Sequence, residues 1–208
     1  MAKLRASWRM VLPLAAAGLA VLSAPVHAQM SEGYKFLEAV RNKDGQKVED
    51  AVNEPGSTIV NTRDVTSGQT ALHIVTARRD LTWMSYLIRK GANVNARDAR
   101  GVTPLVLATN LGFVEGVQLL VENHAKLDDS NNAGETPLIT AVHNRDLQLI
   151  RILLNAGADP DRADNSGRSA RDYAALDGPG SSMLAEIEDS AKSKDQRAGS
   201  KPVYGPSF

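Results

Sequence analysis

Gly101-Val-Thr-Pro-Leu-Val106 returns thirty-three residues later as Gly134-Glu-Thr-Pro-Leu-Ile139, and this pair decides how the chain is organised. Gly68-Gln-Thr-Ala-Leu-His73 stands one period before it, and Gly167-Arg-Ser-Ala-Arg-Asp172 one period after. A second phrase keeps the same register: Gly91-Ala-Asn-Val-Asn95, His124-Ala-Lys-Leu-Asp128 and Gly157-Ala-Asp-Pro-Asp161. Two unrelated phrases sharing one period describe a tandem array. In such an array each unit hides its apolar face on its neighbours.

Each column of the repeat has a physical task. Thr70, Thr103, Thr136 and Ser169 are hydroxyl N-caps, and Pro104 and Pro137 follow at the first helical position, where a missing N–H costs nothing. Leu72, Leu105 and Leu138, with Val75, Ala108, Ala141 and Ala174, are expected to face neighbouring units, the alanines permitting close helix approach. A second helix carries apolar residues at spacings of three and four: Leu81, Met84, Leu87 and Ile88; Val114, Val117, Leu120 and Val121; Leu147, Ile150, Leu153 and Leu154. Gly91 and Gly157 are placed to end that helix in a left-handed conformation, with His124 in the same position at some cost. Asp98, Asn131 and Asp164 then open tight turns that close at Gly101, Gly134 and Gly167.

A turn, Gly-x-Thr-Pro-Leu, two helices and a closing Gly-Ala-Asp/Asn together resemble the ankyrin repeat, strongly over 68–175 and weakly over 32–190. The resemblance implies an all-α solenoid of stacked helix–turn–helix units joined by β-turn hairpin loops. Its expected organisation is a signal peptide over 1–28, a degenerate capping repeat over 32–66, and repeats over 67–99, 100–132 and 133–165. A C-terminal half-repeat over 166–189 and a disordered tail over 190–208 complete the chain. Only His73 keeps the family's histidine, since Val106 and Ile139 replace it in the next two copies. The N-terminal cap shows the same internal spacing, Ala39 to Val48 matching Ala108 to Val117. In the last unit Arg171 and Glu186 stand in formerly apolar columns, as an outer face meeting water requires.

The first residues are read as an export address. Lys3, Arg5 and Arg9 precede an apolar stretch from Val11 to Leu22, and Val26-His-Ala28 predicts cleavage after Ala28. The uncharged run is short for a bilayer span and is interrupted by Pro13. The expectation is an exported protein, periplasmic in a bacterium or else secreted, with no stable membrane insertion once the signal is removed. The chain holds no cysteine, which excludes disulfides, thiolate nucleophiles and Cys-ligated metal. Its net charge of +0 hides an uneven distribution: residues 29–189 carry 17 basic and 23 acidic groups, residues 190–208 carry 4 and 1. An acidic body argues against nucleic acid as the partner.

Little in the sequence points to catalysis. His73, His124 and His143 fall in different columns, with no ligand spacing between them. No Gly-x-Ser-x-Gly elbow occurs, and Gly178-Pro-Gly-Ser-Ser182 lacks a phosphate-binding lysine. Arg78-Arg79-Asp80 and Arg89-Lys90 fall at helix C-termini, where cations complement carbonyl ends. The expected function is therefore a non-catalytic, monomeric, cofactor-free and metal-free module that binds another protein in a groove. An inhibitor or immunity-type protein blocking a basic enzyme site is the alternative favoured by the acidic body, and an enzyme with a site in the groove is a third reading. The family pattern carries the groove role onto Gln69, Ala77, Arg78, Arg100, Val102, Asn110, Leu111, Asn132, Glu135, His143, Asn144, Ser166 and Arg168. Val102 and Leu111 are read as exposed apolar anchors, and His143 as the histidine that faces the groove.

Overall fold

The computed structural model describes residues 31–199, with side chains described through 191. The signal segment and its cut after Ala28 lie outside them. Among the described residues ten α-helices follow in hairpin pairs: α1 (Glu32–Asn42) with α2 (Gly45–Asn53), α3 (Ala71–Ala77) with α4 (Leu81–Arg89), and α5 (Pro104–Asn110) with α6 (Val114–Glu122). Then come α7 (Pro137–His143) with α8 (Leu147–Ala156), and α9 (Ala170–Ala175) with α10 (Ser182–Gly199). A 3-10 turn at Ile59–Asn61 lengthens the first connection. The first helices pack in one row, α1 on α3 on α5 on α7 on α9, and α4, α6, α8 and α10 form a second row behind them. No β-strand is found among the described residues, so the architecture is the expected all-α solenoid.

The stack is held by the columns that repeat. Leu72, Leu105 and Leu138 are buried, as are Val75, Ala108, Ala141 and Ala174 beside them. In the second row the middle of each stripe is sealed (Met84, Leu87, Val117, Leu120, Ile150 and Leu153), whereas Leu81 at its edge is exposed. Burying one leucine or isoleucine contributes about 1.5–3 kcal/mol. Each hairpin gains it only by pressing on the next.

A ladder of backbone bonds ties the turns together. The N–H groups of Ala99, Asn132 and Asn165 donate to the carbonyls of Ser67, Arg100 and Ala133, at 2.9, 2.9 and 3.1 Å. Within each turn an acid or amide side chain accepts the following amides: Asp98 Oδ1 takes those of Arg100 and Val102, Asn131 Oδ1 those of Ala133 and Glu135. The glycines obey two constraints. Gly134 has φ +84°, and a Cβ there would stand 2.5 Å from the Asn165 nitrogen of the next turn. Gly167 has φ +82° with open space beside it, because no turn follows. The first turn is one residue longer than the others, running from Asp64 to Gly68, with Val65 fully exposed.

A second ladder runs through the other phrase. Asn95 Oδ1 accepts the N–H of Lys126 at 2.8 Å, and Asp128 Oδ1 that of Asp159 at 2.9 Å. Those side chains are therefore structural. His73, wholly buried, links two repeats. Its Nδ1 accepts the Thr70 N–H at 3.2 Å, so Nε2 carries the proton and donates to the Val102 carbonyl at 3.0 Å. Burial depresses its pKa below the usual histidine value, keeping the ring neutral.

Between paired helices a left-handed residue recurs as Lys43, Arg79, Gly112 and Arg145. Asp44, Asp80 and Asp146 come next and cap the second helix through Lys47, Trp83 and Leu149 amides. The third hairpin departs from this pattern. Phe113 stands in the cap position with no capping bond, and its buried ring lies where a Cβ on Gly116 would overlap it.

Three expectations need correction or refinement. The last helix runs to Gly199, so residues 190–199 are helical where a disordered tail was expected. From Ala191 to Ala198 there is no Gly or Pro to stop a helix, and Gly199 is the first breaker. Residues 200–208 lie outside the described set. Arg171 and Glu186 are half-buried, and both are paired, Arg171 bidentate to Asp161 at 2.7 and 3.1 Å and Glu186 to Arg151 at 2.7 Å. Val102 and Leu111 are half-buried and not the exposed anchors expected. Leu111 packs on the core, and its carbonyl accepts the Arg79 guanidinium.

Candidate functional site

The turns and the first-row helices share one face, and a cleft of about 330 Å³ opens in it between the turn at Arg100 and the turn at Asn132. Val102, Val106 and Leu107 form apolar walls, with Asn110 and Thr140 on the helices α5 and α7. Arg100, Val102, Asn110, Asn132 and Glu135 of the expected set meet here. A smaller cleft of about 180 Å³ lies one hairpin further on, between α7 and α9, lined by Val142, His143, Arg145, Tyr173, Leu176 and Met183 among others.

Between the two clefts sits a polar and aromatic cluster. His143 packs edge-to-face on Tyr173, ring centroids 4.4 Å apart, and its Nδ1 lies 3.7 Å from Glu135 Oε1. Glu135 Oε2 accepts the Asn131 side-chain amide at 2.8 Å. The Arg168 guanidinium lies 5.8 Å from the centre of the Tyr173 ring, within cation–π range. The Tyr173 hydroxyl donates to Asp164 Oδ2 at 2.7 Å, and the Ser166 hydroxyl donates to Asp164 Oδ1 at 2.7 Å. The Ser166 hydroxyl, then that of Tyr173, hold the Asp164 carboxyl far below the usual carboxylate range. Glu135, His143, Ser166 and Arg168 are thus gathered around a tyrosine that sequence reasoning passed over.

Several other expected groove residues are committed to the scaffold. Arg78 bridges to Asp80 at 3.2 Å and reaches the Val40 carbonyl of the preceding hairpin. Asn144 donates to the carbonyls of Thr109 and Asn110, both at 3.3 Å, and the Asn132 side chain donates to Ala99 O at 3.3 Å. Gln69 is half-buried and Ala77 exposed; neither lines the clefts described here. What was missed is the column one residue past the histidine position: Ile74, Leu107, Thr140 and Tyr173, together with Leu176 beyond His143. Its signal was available, since these positions keep the period of 33 while passing from aliphatic (Ile74, Leu107) to hydroxyl (Thr140) to aromatic (Tyr173).

Among the described residues no group of three or more His, Asp or Glu side chains is placed to hold a metal ion, and no helix is long and apolar enough to cross a membrane. Family models described as ankyrin repeats in three copies and in many copies match residues 36–131 and 120–174. The chain belongs to the ankyrin-repeat family. Ankyrin repeats are generally protein–protein interaction modules, and the family is typically non-catalytic.

Proposed function

We propose that this chain is an exported, non-catalytic binding module that captures a protein partner on the face built from its turns and first-row helices. One observation carries the reading. The faces between hairpins are filled by buried leucine, alanine and bonded turns, while the groove face keeps the half-buried Val102 and Leu107 and the Arg100 and Asn110 side chains, which form no hydrogen bond to a neighbouring repeat among the described residues. A preformed rigid surface of this kind avoids the ordering entropy a loop would lose on binding. Five hairpins spaced about 10 Å apart span roughly 40–50 Å, enough for a footprint of about 800 Å².

Export is proposed from the charged start, the apolar stretch and the short residues before Ala28. The mature chain then begins at Gln29, which N-terminal sequencing of protein from the exported fraction would read directly. The binding face is tested by placing a photo-reactive amino acid at Asn110, in the groove, or at Gln118, exposed on α6 in the second row. Adducts should form from position 110 and not from 118. Equal labelling from both positions, or labelling from 118 alone, would move the site to another surface.

A further inference from the structure

The two clefts differ in the chemistry they leave open. In the larger one the Arg100 side chain is 77% exposed, and the nearest carboxylate oxygen, Asp98 Oδ2, is 3.8 Å away. Asp98 is itself buried and engaged through Oδ1 with the turn amides. The Asn110 side-chain amide makes no hydrogen bond among the described residues. Glu135, the one carboxylate lining this cleft, is drawn aside by Asn131 and faces His143. Among the described residues Arg100 is the one cation lining the cleft, and its side chain, 77% exposed against 35% for Glu135, is the more open of the two charges. In the smaller cleft Arg145 is closed by Asp177 at 2.7 Å, and beside His143 the lining is apolar: Val142, the Tyr173 ring, Met183 and Leu176, the last 67% exposed.

We propose that the groove receives an extended partner segment whose acidic side chain is bound by Arg100 and Asn110 and whose apolar side chain, about five to six residues away, seats on Tyr173 and Leu176. The proposal rests on the groove reading above and names the partner's chemistry. The spacing follows from the architecture: neighbouring first-row helices lie about 8–10 Å apart, and α5 and α9 are two such steps apart with α7 between them, a path of about 16–20 Å. Extended chain rises about 3.3 Å per residue, giving about five to six residues. A guanidinium meeting a carboxylate at a partly desolvated wall sets both affinity and choice of partner.

The test uses the purified full chain against an array of random-sequence decapeptides. Wild-type protein should enrich Asp or Glu separated by about five or six positions from Leu, Ile, Val, Met or an aromatic residue. Arg100→Ala should weaken those peptides about tenfold, and Arg100→Glu should exchange the acidic preference for Lys or Arg. Leu176→Ser should erase the apolar preference and leave the acidic one. Thermal melts of each variant establish that it is folded, as both side chains are largely exposed. An enrichment without acidic residues, an acidic preference that survives Arg100→Glu, or an array with no bound peptide would each overturn the proposal. Groove cross-linking from Asn110 would still decide the broader reading separately.

Discussion

Replacing Gly134 by alanine and, separately, Gly167 by alanine separates two reasons for a glycine at this column. Both have nearly the same φ, +84° and +82°, so both variants carry the left-handed penalty of about 1–2 kcal/mol, offset by the stiffer unfolded chain. At Gly167 nothing lies within 4 Å of the added carbon, and the expected loss is about 1 kcal/mol. At Gly134 the carbon would meet the Asn165 nitrogen at 2.5 Å and Asn165 Oδ1 at 2.7 Å. Relieving that overlap pulls the two turns apart. It breaks the Asn165 N–H bond to Ala133 and the Asn165 amide bond to Asn132, at 3.1 and 2.9 Å. Each is worth about 0.5–1.5 kcal/mol, so the total reaches about 2–4 kcal/mol. Urea unfolding followed by circular dichroism, with slopes compared to confirm a single transition, reads the difference. Gly101→Ala should fall with Gly134→Ala, since its added carbon meets the Asn132 nitrogen at 3.0 Å. Equal losses at Gly134 and Gly167 would refute the argument that stacked turns select this glycine.

Leu105→Ala and Leu138→Ala each remove a fully buried side chain and should cost about 2–5 kcal/mol in the same assay; tolerance of both would contradict the stacked core. Because burial lowers the pKa of His73, the unfolded chain binds its proton first as pH falls. Stability should therefore decline as pH drops through about 6.5 toward the lower folded value, and His73→Leu should flatten that part of the profile. Gly116→Ala would ordinarily favour a helix by up to about 1 kcal/mol, yet here it should destabilise through overlap with the Phe113 ring. Pairing it with Phe113→Asp, which installs the cap found at Asp80 and Asp146, should recover part of the loss, and strict additivity of the two changes would argue against that contact.

The period of 33 made the scaffold legible because each structural task in a repeat tolerates few residue types. A hydroxyl must cap at Thr103, a small residue must sit between helices at Ala108, and a left-handed turn wants Gly134. Groove residues carry no such restriction, so their column could be named while their use could not. Arg78 and Asn144 are a guanidinium and an amide at groove-like positions, yet both reach carbonyls of the preceding repeat. That commitment depends on distances across 38 and 35 residues, which no local pattern encodes. Tyr173 escaped notice for the opposite reason. It stands in a half-repeat that had been read as a cap, and its partners His143, Arg168 and Asp164 come from two different units. The helical extension to Gly199 was hidden by composition, since a polar segment without apolar period resembles a tail until its lack of Gly and Pro is weighed.

Stacked turns are the foundation of every claim about the groove, and amide hydrogen exchange at Ala99, Asn132 and Asn165 tests them most directly. Their N–H groups are the rungs between repeats, so they should exchange only when the array opens, at rates near those of Val117 and Ile150, buried residues whose N–H groups donate within the second-row helices. If all three exchange as fast as the fully exposed Val65, the turns are not joined, and the surface assigned to the partner does not exist in the form described.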